Sequence, residues 1–510
     1  MVKISFVFIL MIISAFLLTI QLIAFRYLIQ KATKEEPFTW KILDQSLTTL
    51  QQYQIPLFLI DNLLLRNIEN GFYRIKDFGS IAEEIRNRRR PKHNNRFRYN
   101  RKSDEIINDE NQRSSLIEDS QSFHYDDYQE CRIVCQTESK ITHLATLSYY
   151  INQEIVTQLS NYLKDYYGLS VIVLKDIDST LLHLNLHVTI ITHIFIVDER
   201  IDLRKDSHVV HIAVFYERID NSYWWQGPIR LTEQEERILH RQGLKRNALR
   251  LSYSGAIYEK TTILRTTIDG LQIFLPKPSK PFLLNSEQNR YFDCDLKRSY
   301  EFHNDYPKDE STEANEFRSK GKALLAKLND LFENRLKLPF WLSSGTLLGY
   351  YRQCDFIVYS GDIDIGMWAD DFREEIVEIL SINNLPLIHW FGRRNDSLEL
   401  SFLFEDIKLD IFFFYREKDH YWNGGTQAKS GLKFKYAFPK FTLCWTDFVG
   451  LLVRVPCETE SYIVANYGKD WRVPIKDWDW KSSPSNVRPN GQWKPNEWSE
   501  TIRLIPVPIL

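Results

Sequence analysis

The sequence predicts an α/β protein of the α+β kind. A mixed sheet with flanking helices is expected over 291–510, an N-terminal α/β domain over 26–290, and a membrane-spanning segment before both. Three observations carry this expectation. Short apolar runs bounded by turn residues recur at Ile55–Ile60, Leu169–Leu174, His187–Val197, Val209–Tyr216, Leu398–Phe404 and Ile407–Tyr415, as strands require. Helical spacing intervenes from Trp40, at Asp370–Leu380, and most clearly at Ala314–Leu336, where Phe317, Leu324, Leu325, Leu328, Leu331 and Phe332 share one face. The 510 residues, 44% hydrophobic and 14% aromatic, are enough for two cores or more.

Ile4–Phe25 is a near-continuous apolar run without a charge, long enough to cross the ~30 Å hydrocarbon layer as a helix. It exceeds the apolar core of a cleaved signal peptide and lacks a small-x-small cleavage site, so an uncleaved anchor is expected. Lys3 precedes it and Arg26, Lys31 and Lys34 follow, a pattern that does not fix its orientation. The net charge of −2 argues against a general nucleic-acid binder. Within 83–130, nine basic residues crowd Arg86–Lys102 and nine acidic ones follow over Asp104–Glu130. Such a block reads as a disordered surface insertion rather than a nucleic-acid patch. Six cysteines (131, 135, 294, 354, 444 and 457) are too few for a disulfide-dense scaffold, and Cys131-x3-Cys135 has no matching pair for zinc. Buried thiols, or one or two disulfides, both fit. Pro276–Asn315 reads as a polar connector.

The chemistry concentrates in Trp341–Met367. A short apolar strand is followed by a turn at Ser343-Ser344-Gly345-Thr346, then Arg352, then a strand carrying Asp362 and Asp364. Side chains at i and i+2 of a strand share a face, so the two carboxylates converge. Converging carboxylates suit a hard divalent cation, Mg2+ or Mn2+. An Asp-x-Asp pair alone is more often a solvated edge. Here Ile363, Ile365 and Met367 make the strand half-buried, where a carboxylate pair is costly without compensation. A third acid, Asp410, stands in the apolar strand Ile407–Tyr415, as a further metal ligand or as the base for an acceptor hydroxyl. Ser344, Gly345 and Thr346 are expected to contact phosphate, and Arg352 either clamps a phosphate or forms an ion pair. The loop Tyr421–Lys429 offers Asn423, Gly424 and Lys429. Lys440 and Lys481 are further cations of the right sign, and Trp478-Asp479-Trp480-Lys481 sets aromatic faces beside charges.

The chain also echoes itself. His211–Tyr216, Asp220, Tyr223-Trp224 and Gly227 parallel Asp410–Tyr415, Asp419, Tyr421-Trp422 and Gly424. Gly270-Leu271 to Pro276 likewise parallels Gly450-Leu451 to Pro456, and Ile55–Ile60 parallels Leu338–Ser343. Either the first half is a degenerate copy of the second, with His211 where Asp410 stands, or two aromatic-rich α/β segments are alike by chance. Strand order separates the two: a degenerate copy requires the same order in both halves.

Gly-Thr-Leu-Leu-Gly, an Arg, Asp-x-Asp and a later strand Asp resemble the nucleotidyltransferase fold of the LicD type. Longer strings at Trp341–Gly349, Tyr351–Cys354, Asp396–Phe402, Trp422–Lys429, Phe434–Trp445, Trp478–Lys481 and Pro489–Gly491 resemble the fukutin family, more loosely so from Trp40 to Lys277. The motif does not tell attack on the α-phosphate of a triphosphate from attack on the β-phosphate of a CDP-alcohol. The resemblance implies the latter. CDP-ribitol would be the donor, ribitol 5-phosphate the transferred group, the O-mannosyl glycan of α-dystroglycan the acceptor, and CMP the leaving group. The resemblance also implies a type II protein of the Golgi membrane, with residues 1–3 cytoplasmic and the body lumenal. Fukutin-related protein and other Golgi O-mannosyl-glycan enzymes would be its partners. Asn395-Asp396-Ser397 is the single sequon and a candidate glycosylation site at Asn395. Two other readings are another CDP-alcohol donor and a non-catalytic scaffold that retains glycosylation enzymes.

Overall fold

The computed structural model describes residues 21, 38–69, 139–184, 186–198, 207–219, 222–244, 255–283 and 288–506. The expected anchor (all but Gln21), the charged insertion, Cys131 and Cys135 lie outside these residues. Among the described residues no helix is long and apolar enough to cross a membrane.

Two nine-stranded mixed sheets form the body. The first contains β1 (Phe58–Leu59), β2 (Ile141–Leu147), β3 (Ser170–Ile177), β4 (Thr189–Val197), β5 (Val209–Arg218), β6 (Tyr223–Gln226), β7 (Ala256–Glu259), β8 (Thr262–Ile268) and β9 (Leu271–Lys277). The second-half strands are β10 (Trp341–Leu342), β11 (Asp362–Trp368), β12 (Leu387–Arg393), β13 (Asp396–Phe404), β14 (Ile407–Arg416), β15 (His420–Thr426), β16 (Leu432–Pro439), β17 (Leu443–Phe448), β18 (Leu451–Pro456), β19 (Val487–Gln492) and β20 (Ile502–Leu504). Of these, β17 and β18 make a separate hairpin, and the others form the second sheet.

Strand order agrees between the halves. The first sheet runs β3-β4-β5-β2-β1, with β6 and β7 continuing from β5. The second runs β12-β13-β14-β11-β10, with β15 and β16 continuing from β14. Directions agree as well: β2 is parallel to β5 as β11 is to β14, and the other pairs of this frame are antiparallel. Register agrees at residue level. Phe58 faces Ala145 as Trp341 faces Gly366, and His143 faces His211 as Asp364 faces Asp410. The Ile60 N–H donates to His143 O at 3.1 Å, as the Ser343 N–H donates to Asp364 O at 3.1 Å. The edges differ. β9 joins β1 in the first sheet, whereas the second sheet gains β19 beside β16 and β20 beside β12.

Each sheet packs one alternating apolar face on a helix, and the first sheet buries its other face as well. In the second, Ile363, Ile365, Leu400, Phe402, Leu409, Ile411 and Phe413 pack on the helix Thr312–Leu328, through Leu324, Leu325 and Leu328. Burying side chains of this size stabilises by about 2 kcal/mol each. In the first, Leu144, Ile194, Ile196, Ile212 and Val214 pack on the helix Phe38–Gln52, through Leu43, Leu47 and Leu50.

Four local expectations need correction. The helix expected to end at Leu336 is α-helical to Leu328 and continues as a wider π-turn over Asn329–Leu336. The helix expected from Asp370 starts at Glu375, because Ala369–Asp371 form a short 3-10 turn and Phe372 after it is extended. The polar connector contains a helix, Leu296–Asp305, capped by Asp295 and tied to the site helix by the disulfide Cys294–Cys354. Residues 421–426 of the expected loop belong to strand β15, held in register by β16. The other described cysteines form Cys444–Cys457, so no described cysteine is a free thiol.

Candidate active site

The outward face of the second sheet carries the polar groups. β11 and β14 are parallel with Asp364 opposite Asp410, and Asp362 lies two residues back on the same face. Carboxylate oxygens of all three lie within 4.8 Å of one another. Asp364 and Asp410 are buried, and Asp362 is half-buried. Burial, then the mutual repulsion of the three, raises Asp364 well above the usual carboxylate range, and burial followed by Asp410 raises Asp362.

Local structure explains how these charges are held. Ser343, in extended backbone, ends β10 and begins the helix Ser344–Gln353. The expected turn is therefore a helix N-terminus, and its groups already serve Asp364. The Gly345 N–H donates to Asp364 Oδ2 at 2.9 Å, and the Asp364 N–H donates to Thr346 Oγ1 at 2.8 Å. A Cβ on Gly345 would stand 3.2 Å from Asp364 Oδ2, so glycine permits this close approach. Ser344, at φ +40°, makes the bend into the helix. Asp410 is held on both oxygens: Ser401 Oγ donates to Oδ1 at 2.6 Å, and Lys408 Nζ lies 2.8 Å from Oδ2.

Arg352 occupies the far end of the same helix. It is buried, donates to Gln353 Oε1, and lies over the Phe302 ring at 4.7 Å. Eight residues of helix separate it from Ser344, a rise of about 12 Å. Asn423 is buried, and its Oδ1 has no hydrogen-bond partner among the described residues. Gly424 packs on Ser397, where a Cβ would stand 2.2 Å from Oγ. Lys429 is exposed in the β15–β16 turn, Lys440 is exposed past the other end of β16, and Lys481 pairs with Asp479 at 2.9 Å. Asn395 is exposed in the β12–β13 turn.

Sequence reading missed several groups on this face. Register places His389, Ser401, Asp410 and Asp364 in one row across β12, β13, β14 and β11. Lys408 and Glu399 flank that row on opposite sides. Glu399 is pushed up to about 8 by burial and then by Asp410, with Lys408 opposing. Tyr467 lies within electrostatic reach of Asp364, Asp362 and Arg352, and burial with these carboxylates raises its hydroxyl well above its usual range. The Trp478 ring rests on Tyr467 at 4.8 Å, and Tyr436 Oη donates to the Trp480 carbonyl at 2.9 Å. Residues 478–481 thus join two walls of the site. Period-two alternation could have found Glu399 and Lys408: both alternate with buried Leu398, Leu400, Leu409 and Ile411.

Residues 337–458 match the family described as LicD/FKTN/FKRP, nucleotidyltransferase domain, and residues 106–322 match Fukutin N-terminal. Over residues 337–458 the chain is similar to the LicD/FKTN/FKRP family. The three aspartates and Glu399 fall inside its nucleotidyltransferase domain. Among curated relatives, the proteins named ribitol-5-phosphate transferase FKTN from Macaca fascicularis and Homo sapiens are 48% and 47% identical over 299 residues. That match covers 58% of this chain and 64% of each relative, so the chain spans less than two thirds of their length. An uncharacterised protein of Caenorhabditis elegans, T07A5.1, is 34% identical over 177 residues, 32% of this chain and 46% of that protein.

Proposed function

We propose that the C-terminal domain transfers ribitol 5-phosphate from CDP-ribitol to a hydroxyl of the O-mannosyl glycan of α-dystroglycan, releasing CMP. The observation that carries this reading is the convergence of Asp362, Asp364 and Asp410 within 4.8 Å on a parallel strand pair. Three hard oxygen donors, two of them with protonation favoured by burial and mutual repulsion, fit a divalent cation. Asp362, Asp364 and Asp410 would hold Mg2+ or Mn2+, which supplies charge stabilisation to a diphosphate. The chain's own groups orient these ligands: the Gly345 N–H fixes Asp364, and Ser401 with Lys408 fixes Asp410. Trp478, Trp480 and Tyr436 offer faces for a base or an alditol beside that point. The names of the mammalian relatives support ribitol phosphate as the transferred group. The long apolar N-terminal run supports a membrane anchor, and the family resemblance supports a type II Golgi protein with a lumenal body, in which the exposed Asn395 would be open to glycosylation.

The shared strand order and register support the first domain as a degenerate copy of the second. Its position equivalent to Asp362 is Ile141, and among the described residues it holds no carboxylate cluster of this kind.

The full chain in detergent, given CDP-ribitol, Mn2+ and a phosphorylated O-mannosyl glycopeptide bearing its terminal GalNAc, should add one ribitol phosphate by mass spectrometry. Asp362→Asn should reduce the rate by roughly 10³-fold or more while the protein stays folded. Transfer from another CDP-alcohol alone would replace the donor. Normal transfer by Asp362→Asn would remove the aspartates from the chemistry.

A further inference from the structure

Glu399 has no assigned role, and its surroundings are unusual for a carboxylate. It projects from β13 on the same face as Ser401, two residues away, and Ser401 donates to Asp410. Register puts Glu399 beside Phe412, one step along the sheet from the Asp410–Asp364 row and away from Asp362, about 7 Å of strand. It falls outside the tight cluster of three aspartates. Within the described residues its carboxylate makes neither a hydrogen bond nor an ion pair, and Phe391 and Phe412 flank it on neighbouring strands. An unpaired carboxylate between aromatic neighbours is costly to keep.

The first sheet supplies an independent observation. Matching strand for strand, Asp364 corresponds to His143, Asp410 to His211 and Glu399 to His193. All three acids are histidines there, and the three rings are joined: His143 Nδ1 to His211 Nδ1 at 2.9 Å, and His211 Nε2 to His193 Nδ1 at 3.0 Å. Other groups of the same face are exchanged for apolar ones, with Phe195 for Ser401 and Ile172 for His389. Glu399 is thus exchanged together with the two aspartates, as a member of one unit.

We propose that Glu399 is the base of the transfer reaction, accepting the proton of the attacking acceptor hydroxyl. This rests on the transferase reading above. The acceptor oxygen forms a bond to the β-phosphorus of the CDP-alcohol. The bond from that phosphorus to the bridging oxygen breaks, and its electron pair leaves with CMP. The hydroxyl proton passes to the Glu399 carboxylate and from there to water. Asp410 is the other carboxylate that could take this proton, but both of its oxygens are engaged, by Ser401 and by Lys408. Glu399 has an unpaired carboxylate on the same face.

The test compares full-length wild type, Glu399→Gln, Glu399→Asp and Glu399→Ala with CDP-ribitol and the glycopeptide, and measures Mn2+ binding by calorimetry. Glu399→Gln should lose roughly 10²–10⁴-fold in kcat. Its KM for CDP-ribitol and its Mn2+ affinity should stay within about threefold of wild type, the pattern of a group acting only in the transition state. Glu399→Asp should retain an intermediate rate, and added formate should restore part of the rate of Glu399→Ala, which a packing role would not allow. A kcat of Glu399→Gln within about threefold of wild type, by the same transition-state comparison, or loss of its Mn2+ binding, overturns the proposal and leaves the transferase reading standing. Transfer by wild type from another CDP-alcohol only removes the donor assignment, and the same comparison then applies with that donor. No transfer by wild type from any CDP-alcohol overturns both.

Discussion

The two sheets share one frame and solve its central electrostatic problem in opposite ways. In the second, Asp362, Asp364 and Asp410 crowd within 4.8 Å, and Glu399 stands one row away. Such a cluster repels itself and favours a cation or a proton. In the first, His143, His211 and His193 are buried and neutral, each pushed below the usual imidazole range chiefly by burial. Neutral imidazoles both donate and accept, so the chain can close on itself. His193 Nε2 donates to the Gly227 carbonyl, and His193 Nδ1 therefore accepts from His211 Nε2. His211 Nδ1 in turn accepts from His143 Nδ1. The carboxylate at the strand–helix junction also moves. Asp61 caps the helix Asn62–Glu69 in the first sheet by accepting from the Leu63 and Leu64 N–H groups, while in the second the strand residue Asp364 accepts from the Gly345 N–H. One fold therefore tolerates either a charged, open cluster or a neutral, closed one at the same positions.

The largest break in this comparison should come from putting the second sheet's residue into the first. His211→Asp places a carboxylate where exposure is 0% and removes two ring hydrogen bonds. A buried, unpaired charge should cost about 3–5 kcal/mol. Urea unfolding followed by hydrogen exchange should show the first domain opening early, with Mn2+ binding to the second unchanged. A variant as stable as wild type that binds a second Mn2+ would show that the first sheet keeps a working metal frame.

Acid should separate the domains with a smaller effect. His193 and His208 have pKa values lowered from 6.5 to about 4, by burial first and then, for His208, by His143. A depressed histidine contributes stability above the unfolded value of 6.5, and loses it as pH falls toward 4. Each is worth on the order of 3 kcal/mol, without simple addition because the rings interact. The raised Asp362 and Asp364 act with the opposite sign: their contribution is present below the unfolded carboxylate value and lost as pH rises. Hydrogen exchange between pH 7 and pH 4, without divalent cation, should show β2, β4 and β5 losing protection before β11 and β14. Earlier loss in β11 and β14 would mean that the histidine chain tolerates protonation.

The sequence was legible where period and chemistry coincide. Asp362, Asp364 and Asp410 stood out because acids in apolar strands are costly, and the structure brings them together. The echo of Asp410 in His211 was visible from the aromatic residues that follow each, and register confirms that pairing. Glu399 and Lys408 were missed although alternation put them on the right face, because which strands adjoin is decided by the sheet rather than by local pattern. His143 and His193 were harder still. Their correspondence to Asp364 and Glu399 appears only when two sheets are matched through hydrogen-bond register. Ser343–Thr346 was read as a loop because Ser and Gly favour turns, but packing of the following helix on the 355–357 segment, where a Gly349 Cβ would meet Asp355 O at 2.5 Å, overrides that preference.

The smallest expected effect concerns cations that sequence grouped together and structure separates. Lys429 lies in the turn before β16, and Lys440 follows its end, so the eight residues of Leu432–Pro439 hold them about 26 Å apart. A diphosphate centred on the three aspartates cannot contact both. Lys408, by contrast, touches Asp410 directly. Lys429→Ala and Lys440→Ala should each change kcat/KM by no more than about twofold, the scale of an exposed charge acting at a distance in salt. Lys408→Met should lower kcat through Asp410 and weaken Mn2+ binding, or shift its pH dependence, because Asp410 Oδ2 loses its partner. A tenfold loss in Lys440→Ala with Lys408→Met unaffected would place the substrate along the β15–β16 hairpin rather than over β11 and β14. The equivalent positions of the first sheet, Val209 for Lys408 and Ile141 for Asp362, would then mark loss of a structural pair rather than loss of a catalytic one.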